Sequence, residues 1–127
     1  MKNLTLVGRI LFALPFGIIG LNHFLFKDIF LGMMSSFIPG GAYTIFLTGA
    51  ILILASISII LNKYIKISCY ILAGLLLIFI LTIHIPNLVN CYTPLVFIEL
   101  LKDLGLMGGA IMIAQYYNTP KVEETNK

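Results

Sequence analysis

Residues 42–61 read AYTIFLTGAILILASISIIL and residues 67–88 read ISCYILAGLLLIFILTIHIPNL, and neither stretch contains Asp, Glu, Lys or Arg. Each is about as long as the roughly 20 residues that an α-helix needs to cross the hydrocarbon core of a bilayer. A helix in a water-soluble bundle needs a polar outer face, which neither stretch supplies. The two stretches therefore predict helices that fold against lipid.

Two further apolar segments flank this pair. Residues 4–26 contain one charged side chain, Arg9, and residues 94–117 contain three, Glu99, Lys102 and Asp103. Hydrophobic residues make up 60% of the 127-residue chain and charged residues 10%, so most side chains must contact lipid or another helix. We expect an all-α integral membrane protein, a four-helix bundle formed by residues 1–117 and followed by a polar cytoplasmic tail, 118–127.

The distribution of Lys and Arg predicts how the helices are oriented in the membrane. Lys2 and Arg9 lie at the start of the first segment, and Lys63 and Lys66 lie in the short connection between the second and third segments. By the positive-inside rule, both termini and this connection face the cytoplasm. Arg9 is predicted to anchor the inner side, because a long cationic side chain near a helix end extends towards the lipid headgroups.

Polar side chains within the predicted helices are expected to turn inward, because lipid offers them no hydrogen-bond partner. Lys102 is expected to pair with Glu99 one helical turn earlier, and Asp103 to pair with a histidine from another helix. This polar cluster either satisfies itself and fixes the helix register, or forms a site for a ligand or a proton. Five ionisable side chains are predicted to converge in the outer half of the bundle: His23, His84, Glu99, Lys102 and Asp103.

Small residues on the same helix faces predict close helix packing, because a glycine lets two backbones approach. The candidates for this packing role are Gly17, Gly20, Gly105 and Gly109.

The loop at residues 27–41 is unusually apolar for a connection outside the membrane. Such a segment is expected to lie at the membrane interface as a short helix, as a passive cap or as a lid over a cavity. Pro86 is expected to end or bend the third helix just past His84.

Motifs for specific cofactors are weak in this chain. Two histidines on separate helices permit a haem between them, and two histidines with a carboxylate permit zinc, but the spacing requires neither. We therefore predict no metal site and keep a quinone or a haem as the possible cofactors. The sequence contains no Cys-x-x-Cys, phosphate-binding loop or dinucleotide fingerprint.

Short motifs along most of the chain resemble those of the DoxX family of small bacterial membrane proteins with four helices. The motifs are Gly8-Arg9, Gly17…Gly20-x-x-His23-Phe24, Pro39-Gly40, His84-Ile85-Pro86, Lys102-Asp103 and Gly108-Gly109-Ala110. The resemblance implies a multi-pass protein of the bacterial inner membrane that is associated with quinol- or sulfur-linked oxidation.

Two functional hypotheses follow from the polar cluster and from this resemblance. The first is an accessory or small-ligand-binding subunit of a membrane redox complex, with a quinone-like ligand at the cluster. The second is a non-catalytic assembly or stress-related module that binds other membrane proteins. A proton or solute pathway is a weaker third hypothesis. In each case we expect the lipid bilayer and other membrane proteins as partners, no nucleic acid, and no stand-alone enzyme.

Overall fold

A computed structural model of the chain describes residues 2–118, which form helices and turns and contain no strand. The predicted tail therefore lies, except for Asn118, outside the described residues. The elements in chain order are α1 (Lys2–Leu25), α2 (Lys27–Met33), α3 (Ala42–Ile60), α4 (Ile65–Phe79), a π-helical segment (Ile80–His84), α5 (Ile85–Asn90) and α6 (Pro94–Tyr116).

Three continuous helices are long and apolar enough to cross a membrane. These are Lys2–Leu25, Ala42–Ile60 and the composite helix Ile65–Asn90, which joins α4, the π-helical segment and α5. They confirm that the segments predicted at 4–26, 42–61 and 67–88 form long apolar helices. Many large apolar side chains on them face outward and are exposed, as expected for helices that contact lipid.

The fourth predicted crossing is α6, which differs from the others in its charge. It has 23 residues, one fewer than α1, but Glu99, Lys102 and Asp103 all lie in its first half. Its length and composition alone therefore do not place it across a membrane. The four-helix membrane bundle and the cytoplasmic position of both termini remain predictions.

The helices pack mainly as two antiparallel pairs. α1 packs most extensively against α3, and α4 packs most extensively against α6, while α3 contacts α4 between the two pairs. Both the start of α1 and the end of α6 lie at one end, which we call the terminal end. The buried core between the pairs is apolar, and its largest fully buried side chains are Leu52, Ile59, Leu72 and Cys69.

Two glycines set the close approach of α1 and α3. A Cβ atom at Gly20 would lie 2.8 Å from the carbonyl oxygen of Gly49, and a Cβ atom at Gly49 would lie 2.8 Å from the carbonyl oxygen of Gly20. Beside this crossing, the hydroxyl of Ser56 donates to the carbonyl of Ala13 at 2.8 Å, so a buried polar side chain on α3 is satisfied by the backbone of α1.

A tight turn joins α3 to α4. Asn62 and Tyr64 both adopt the left-handed conformation, with φ of 61° and 54°, and the backbone N–H of Lys63 donates to the carbonyl of Ser58. This bond satisfies a carbonyl at the end of α3, and the two left-handed residues help to reverse the chain within four residues. The turn makes α3 and α4 antiparallel neighbours, as the short sequence 62–66 predicts.

The sequence predicted that Pro86 would end or bend the third helix. The composite helix does not end there. It leaves α-helical geometry before the proline, in the π-helical segment Ile80–His84, and continues to Asn90. Because Pro86 has no N–H, the carbonyl of Thr82, four residues earlier, lacks its usual α-helical donor. The hydroxyl of Ser35 donates to this carbonyl at 2.5 Å, so a neighbouring segment replaces the missing bond.

Residues 27–41, which we call the cap segment, cover the end of the helices opposite the terminal end. α2 forms the first half, and the second half ends at Gly40 and Gly41, whose φ values are 95° and 53°. Side chains rarely tolerate this backbone conformation, which explains the glycine pair before α3. The Thr44 hydroxyl donates to the carbonyl of Pro39 at 2.5 Å and holds this corner.

Candidate ligand-binding site

A cavity of about 410 Å³ lies beneath the cap segment. Its walls come from α1, α3, α6 and the composite helix, and its roof comes from Phe30, Met33, Met34 and Ile38 of the cap segment. Small-molecule sites in proteins commonly have volumes of about 300–1,000 Å³, apolar walls and a few polar groups. The cavity meets this description, because most of its lining residues are apolar and its ionisable groups lie together on the walls.

All five predicted site residues line this one cavity: His23, His84, Glu99, Lys102 and Asp103. The structure thus brings side chains from α1, the π-helical segment and α6 to a common space. Their local environments differ, however, and divide them into a buried pair, an exposed pair and a single histidine.

The buried pair is His84 and Asp103. Nε2 of His84 lies 2.7 Å from Oδ2 of Asp103, and the two side chains are only 13% and 10% exposed. Since a carboxylate accepts hydrogen bonds, Nε2–H of His84 is the donor. This bond is the one expected from the sequence, in which Asp103 needs a histidine from another helix.

The π-helical segment presents His84 to α6. A π-helical turn is a local insertion in an α-helix and recurs at functional sites in proteins. Thr82, Ile83 and His84, all within this segment, line the cavity. Within residues 2–118 the Nδ1 atom of His84 has no hydrogen-bond partner, so it remains available to a ligand.

The exposed pair is Lys102 and Glu99. Nζ of Lys102 lies 2.5 Å from Oε2 of Glu99, one helical turn earlier, as expected from the sequence. The two side chains are 47% and 52% exposed, so they lie at the rim of the cavity rather than inside it. A pair with this exposure contributes little to stability, about 0–1 kcal/mol.

His23 lies on the opposite wall and does not contact Asp103. Its ring stacks on Phe30 of the cap segment, with 3.9 Å between ring centroids, and its Nδ1 donates to the carbonyl of Ile19 at 2.8 Å. The Nε2 atom consequently carries the lone pair of the neutral ring. His23 thus connects α1 to the cap segment and offers one acceptor atom beside the cavity.

The bond from Ser35 to Thr82 gives a prediction about the cap segment. Replacing Ser35 with alanine leaves the Thr82 carbonyl without this donor, which is expected to cost about 1 kcal/mol. Amide hydrogen exchange in residues 27–41 should become several-fold faster, with little change in the rest of the chain. The matched control is Ser36→Ala, because Ser36 is exposed and makes no such bond. Equal exchange rates in both variants would contradict this role for Ser35.

Most lining residues were not predicted as site residues from the sequence, and Phe30, Met34 and Thr82 are three of them. Phe30 and Met34 belong to a loop for which the sequence favoured a passive cap over a lid, and Thr82 is one threonine in a long apolar stretch. For Thr82 the available signal was Pro86, which marks the carbonyl one turn earlier as lacking a helical donor. No comparable signal identified Phe30 or Met34, because their positions depend on how the cap segment folds back.

Each of the two histidines keeps one ring nitrogen without a hydrogen-bond partner in the described chain, Nδ1 of His84 and Nε2 of His23. A haem between them therefore stays a possible cofactor, as in the sequence analysis. Among residues 2–118, no three His, Cys, Asp or Glu side chains form a group that could hold a metal ion.

The other predicted positions lie outside the cavity. Gly17 packs against Ser56 of α3, and Gly20 packs against Gly49. A Cβ atom at Gly109 would lie 3.5 Å from the ring of Phe12, which is an ordinary contact, and one at Gly105 would meet no atom within 4 Å. Gly105 therefore packs against no other helix in the described chain.

Arg9, the predicted inner-side anchor, lies at the terminal end, where Nη1 donates to the hydroxyl of Tyr117 at 3.4 Å. It makes no contact with Asp103, and its role as an inner-side membrane anchor remains a prediction.

Comparison of the chain with protein-family models, with curated proteins and with solved structures gives no match.

Proposed function

We propose that this chain is a DoxX-like, multi-pass membrane protein that binds a small, quinone-like ligand beneath the cap segment. In this proposal it is an accessory subunit of a membrane redox complex, and partner subunits carry out the redox reaction. The observation that supports the proposal most is the buried His84–Asp103 pair on the wall of an apolar cavity.

The proposal includes a membrane topology. α6 is the fourth crossing, and its charged residues face the cavity or its rim instead of lipid. Both termini lie in the cytoplasm of a bacterial cell, with the cap segment on the outer side of the inner membrane. The supporting observations are the length of α6, its packing against α4, and the positive charges Lys2, Lys63 and Lys66 at the terminal end.

A quinone-like ligand suits the chemistry of the cavity. Its ring and apolar tail match walls formed by leucine, isoleucine, phenylalanine and methionine, and its carbonyl oxygens need hydrogen-bond donors. The Asp103 carboxylate contacts Nε2 of His84 and orients the imidazole. When the ring carries a proton on both nitrogens, Nδ1–H of His84 donates to a ligand carbonyl.

The test is to measure binding of a short-chain benzoquinone and a short-chain naphthoquinone by equilibrium dialysis in lipid nanodiscs. Loss of a hydrogen bond that involves a charged group costs about 1.5–3 kcal/mol, which is about tenfold or more in affinity. His84→Ala and Asp103→Asn are therefore each expected to weaken binding at least about tenfold. Lys63→Gln, a substitution in the exposed turn, is the control and should leave binding unchanged. Equal affinities for all four proteins would contradict the proposal.

A second candidate function is supported by one face of α6. Gly105 and Gly108 have no atom within 4 Å of a built Cβ, and the neighbouring Leu101, Leu104 and Met112 are exposed. This open face suits a helix of another membrane protein, so the alternative is a non-catalytic assembly module. A photo-crosslinking residue at position 108 should then give an adduct with a second polypeptide in native membranes, and adducts with lipid alone would end this alternative.

A further inference from the structure

A second hollow lies at the terminal end, far from the cap segment. It is a groove of about 530 Å³ between the start of α1 and the end of α6, two helices that do not pack closely against each other. Its lining combines one cation, three hydroxyl groups and several apolar side chains. The lining residues are Thr5, Gly8, Arg9, Phe12, Met112, Ile113, Tyr116 and Tyr117.

The guanidinium group of Arg9 is poorly satisfied in this groove. The group has five N–H bonds, and within residues 2–118 one of them donates a hydrogen bond. Its acceptor is the hydroxyl of Tyr117, and the distance from Nη1 to this oxygen is long, at 3.4 Å. The Nε atom is covered by the protein and has no hydrogen-bond partner in the described chain. A buried donor without an acceptor is unfavourable, so an anion that binds the guanidinium group in the groove would stabilise it.

The carboxylates of residues 2–118 all lie towards one end of the molecule. Asp28, Glu99 and Asp103 lie towards the end that the cap segment covers. There Lys27 pairs with Asp28, and Lys102 pairs with Glu99. Between residues 2 and 118, no carboxylate lies within ion-pair distance of Arg9. The terminal end thus presents positive charge without a compensating anion from the described part of the protein.

The position of Arg9 along α1 also suits a lipid headgroup. It lies seven residues after Lys2, or roughly 10 Å into the helix, and its guanidinium group contacts the hydroxyl of Tyr117 at the end of α6. A long cationic side chain at this depth extends its charged group to the interface while its stem stays in apolar surroundings. Tyr116 and Tyr117 lie beside it, and tyrosine is enriched at membrane interfaces.

We propose that this groove binds the phosphate group of an anionic phospholipid, with the Arg9 guanidinium as its main ligand. The planar guanidinium fork matches two phosphate oxygens, and the Tyr117 hydroxyl holds the fork in place. One acyl chain lies along Phe12 and Met112, in the gap between α1 and α6. The inference rests on the proposed function only in that it needs the terminal end to lie at a membrane surface.

The test uses native mass spectrometry of the full-length protein, released from nanodiscs of phosphatidylglycerol and phosphatidylcholine in equal amounts. The wild-type protein should retain phosphatidylglycerol preferentially. Arg9→Gln should lower the apparent affinity for phosphatidylglycerol about tenfold, as expected for loss of a charged hydrogen-bonding group. Arg9→Lys, which keeps the charge but lacks the fork, should give an intermediate value.

Three controls make the result specific. Lys63→Gln removes a positive charge at the same end but outside the groove, and should not change lipid retention. Inorganic phosphate at millimolar concentration should not displace the lipid, because it lacks the acyl chains. Glu123→Gln with Glu124→Gln in the full chain should also leave retention unchanged, because the lipid and not the tail is the proposed anion.

The proposal is overturned if Arg9→Gln retains as much phosphatidylglycerol as the wild-type protein while keeping its helical circular dichroism. It is equally overturned if both lipids bind alike, if inorganic phosphate displaces the lipid, or if neutralising the tail glutamates increases lipid retention. Its failure is distinguishable from failure of the proposed function, because His84→Ala should not change lipid retention and Arg9→Gln should not change quinone binding.

Discussion

Replacing His84 with leucine is expected to lower the free energy of unfolding by about 3–5 kcal/mol, because the buried Asp103 carboxylate then has no partner. Asp103→Leu alone leaves a buried histidine unpaired and should also destabilise the protein, by a smaller amount since a neutral imidazole is less costly to bury. The double variant His84→Leu with Asp103→Leu should recover most of the loss, because two apolar side chains of similar size often replace a buried ion pair without net cost.

The measurement is unfolding by sodium dodecyl sulfate in mixed micelles, followed by circular dichroism. The matched control is Glu99→Gln, which breaks the half-exposed pair with Lys102 and should cost less than about 1 kcal/mol. If His84→Leu is no more destabilising than Glu99→Gln, the buried pair does not stabilise the fold as proposed. The double variant also separates stability from binding, since it should fold well and yet fail to bind the quinone.

The second large effect is expected at the crossing of α1 and α3. A Cβ atom at Gly49 would lie 2.8 Å from the carbonyl oxygen of Gly20, 2.8 Å from Cβ of His23 and 2.9 Å from the ring of Phe24. The backbone of α1 cannot yield without moving the whole helix, so Gly49→Val forces the two helices apart. Overpacking in a closely packed interior costs about 1–3 kcal/mol and occasionally more, and we expect at least about 3 kcal/mol here.

The control for this substitution is Gly105→Ala on α6, where an added Cβ atom would meet nothing within 4 Å. Alanine is the better helix former by about 1 kcal/mol, so this variant should be neutral or slightly stabilising. Both variants are compared in the same unfolding assay. If the Gly49→Val protein is as stable as the wild type, the backbones of α1 and α3 do not approach closely at Gly20 and Gly49.

The Gly49→Val variant is also expected to affect ligand binding. His23 lies directly beside Gly49 and stacks on Phe30 of the cap segment. Moving α1 away from α3 therefore shifts one wall of the cavity and loosens its contact with the roof. Gly49→Val should weaken quinone binding even at temperatures where the protein remains folded.

Much of the site was accessible from the sequence because an apolar solvent leaves polar side chains few choices. Lys102 has Glu99 one turn away on the same helix, so their pairing needed no knowledge of the tertiary structure. Asp103 has no such neighbour, and a histidine from another helix was the natural partner. Which histidine it pairs with depends on the rotation and register of the helices, and hydrophobic periodicity alone does not determine these.

Three helices of the structure are long and apolar enough to cross a membrane. The sequence predicted these three and a fourth, because a run of about 20 apolar residues has few stable alternatives to a helix in lipid. It was less informative where geometry departs from the regular helix. The helix was expected to end or bend at Pro86, whereas the chain absorbs the missing N–H in a π-helical segment and receives a hydrogen bond from Ser35. That donor comes from a distant segment, and no local pattern could have indicated it.

What the sequence by itself determined is the helical class, the three long apolar helices and the set of polar side chains that must be satisfied away from lipid, because these follow from composition and spacing. Only the tertiary structure decided that His84 pairs with Asp103 while His23 stacks on Phe30, that the cap segment roofs a cavity, and that Gly49 and not Gly105 packs against another helix. The physical reason is that each of these contacts joins residues distant in sequence, and their distances depend on how the helices cross.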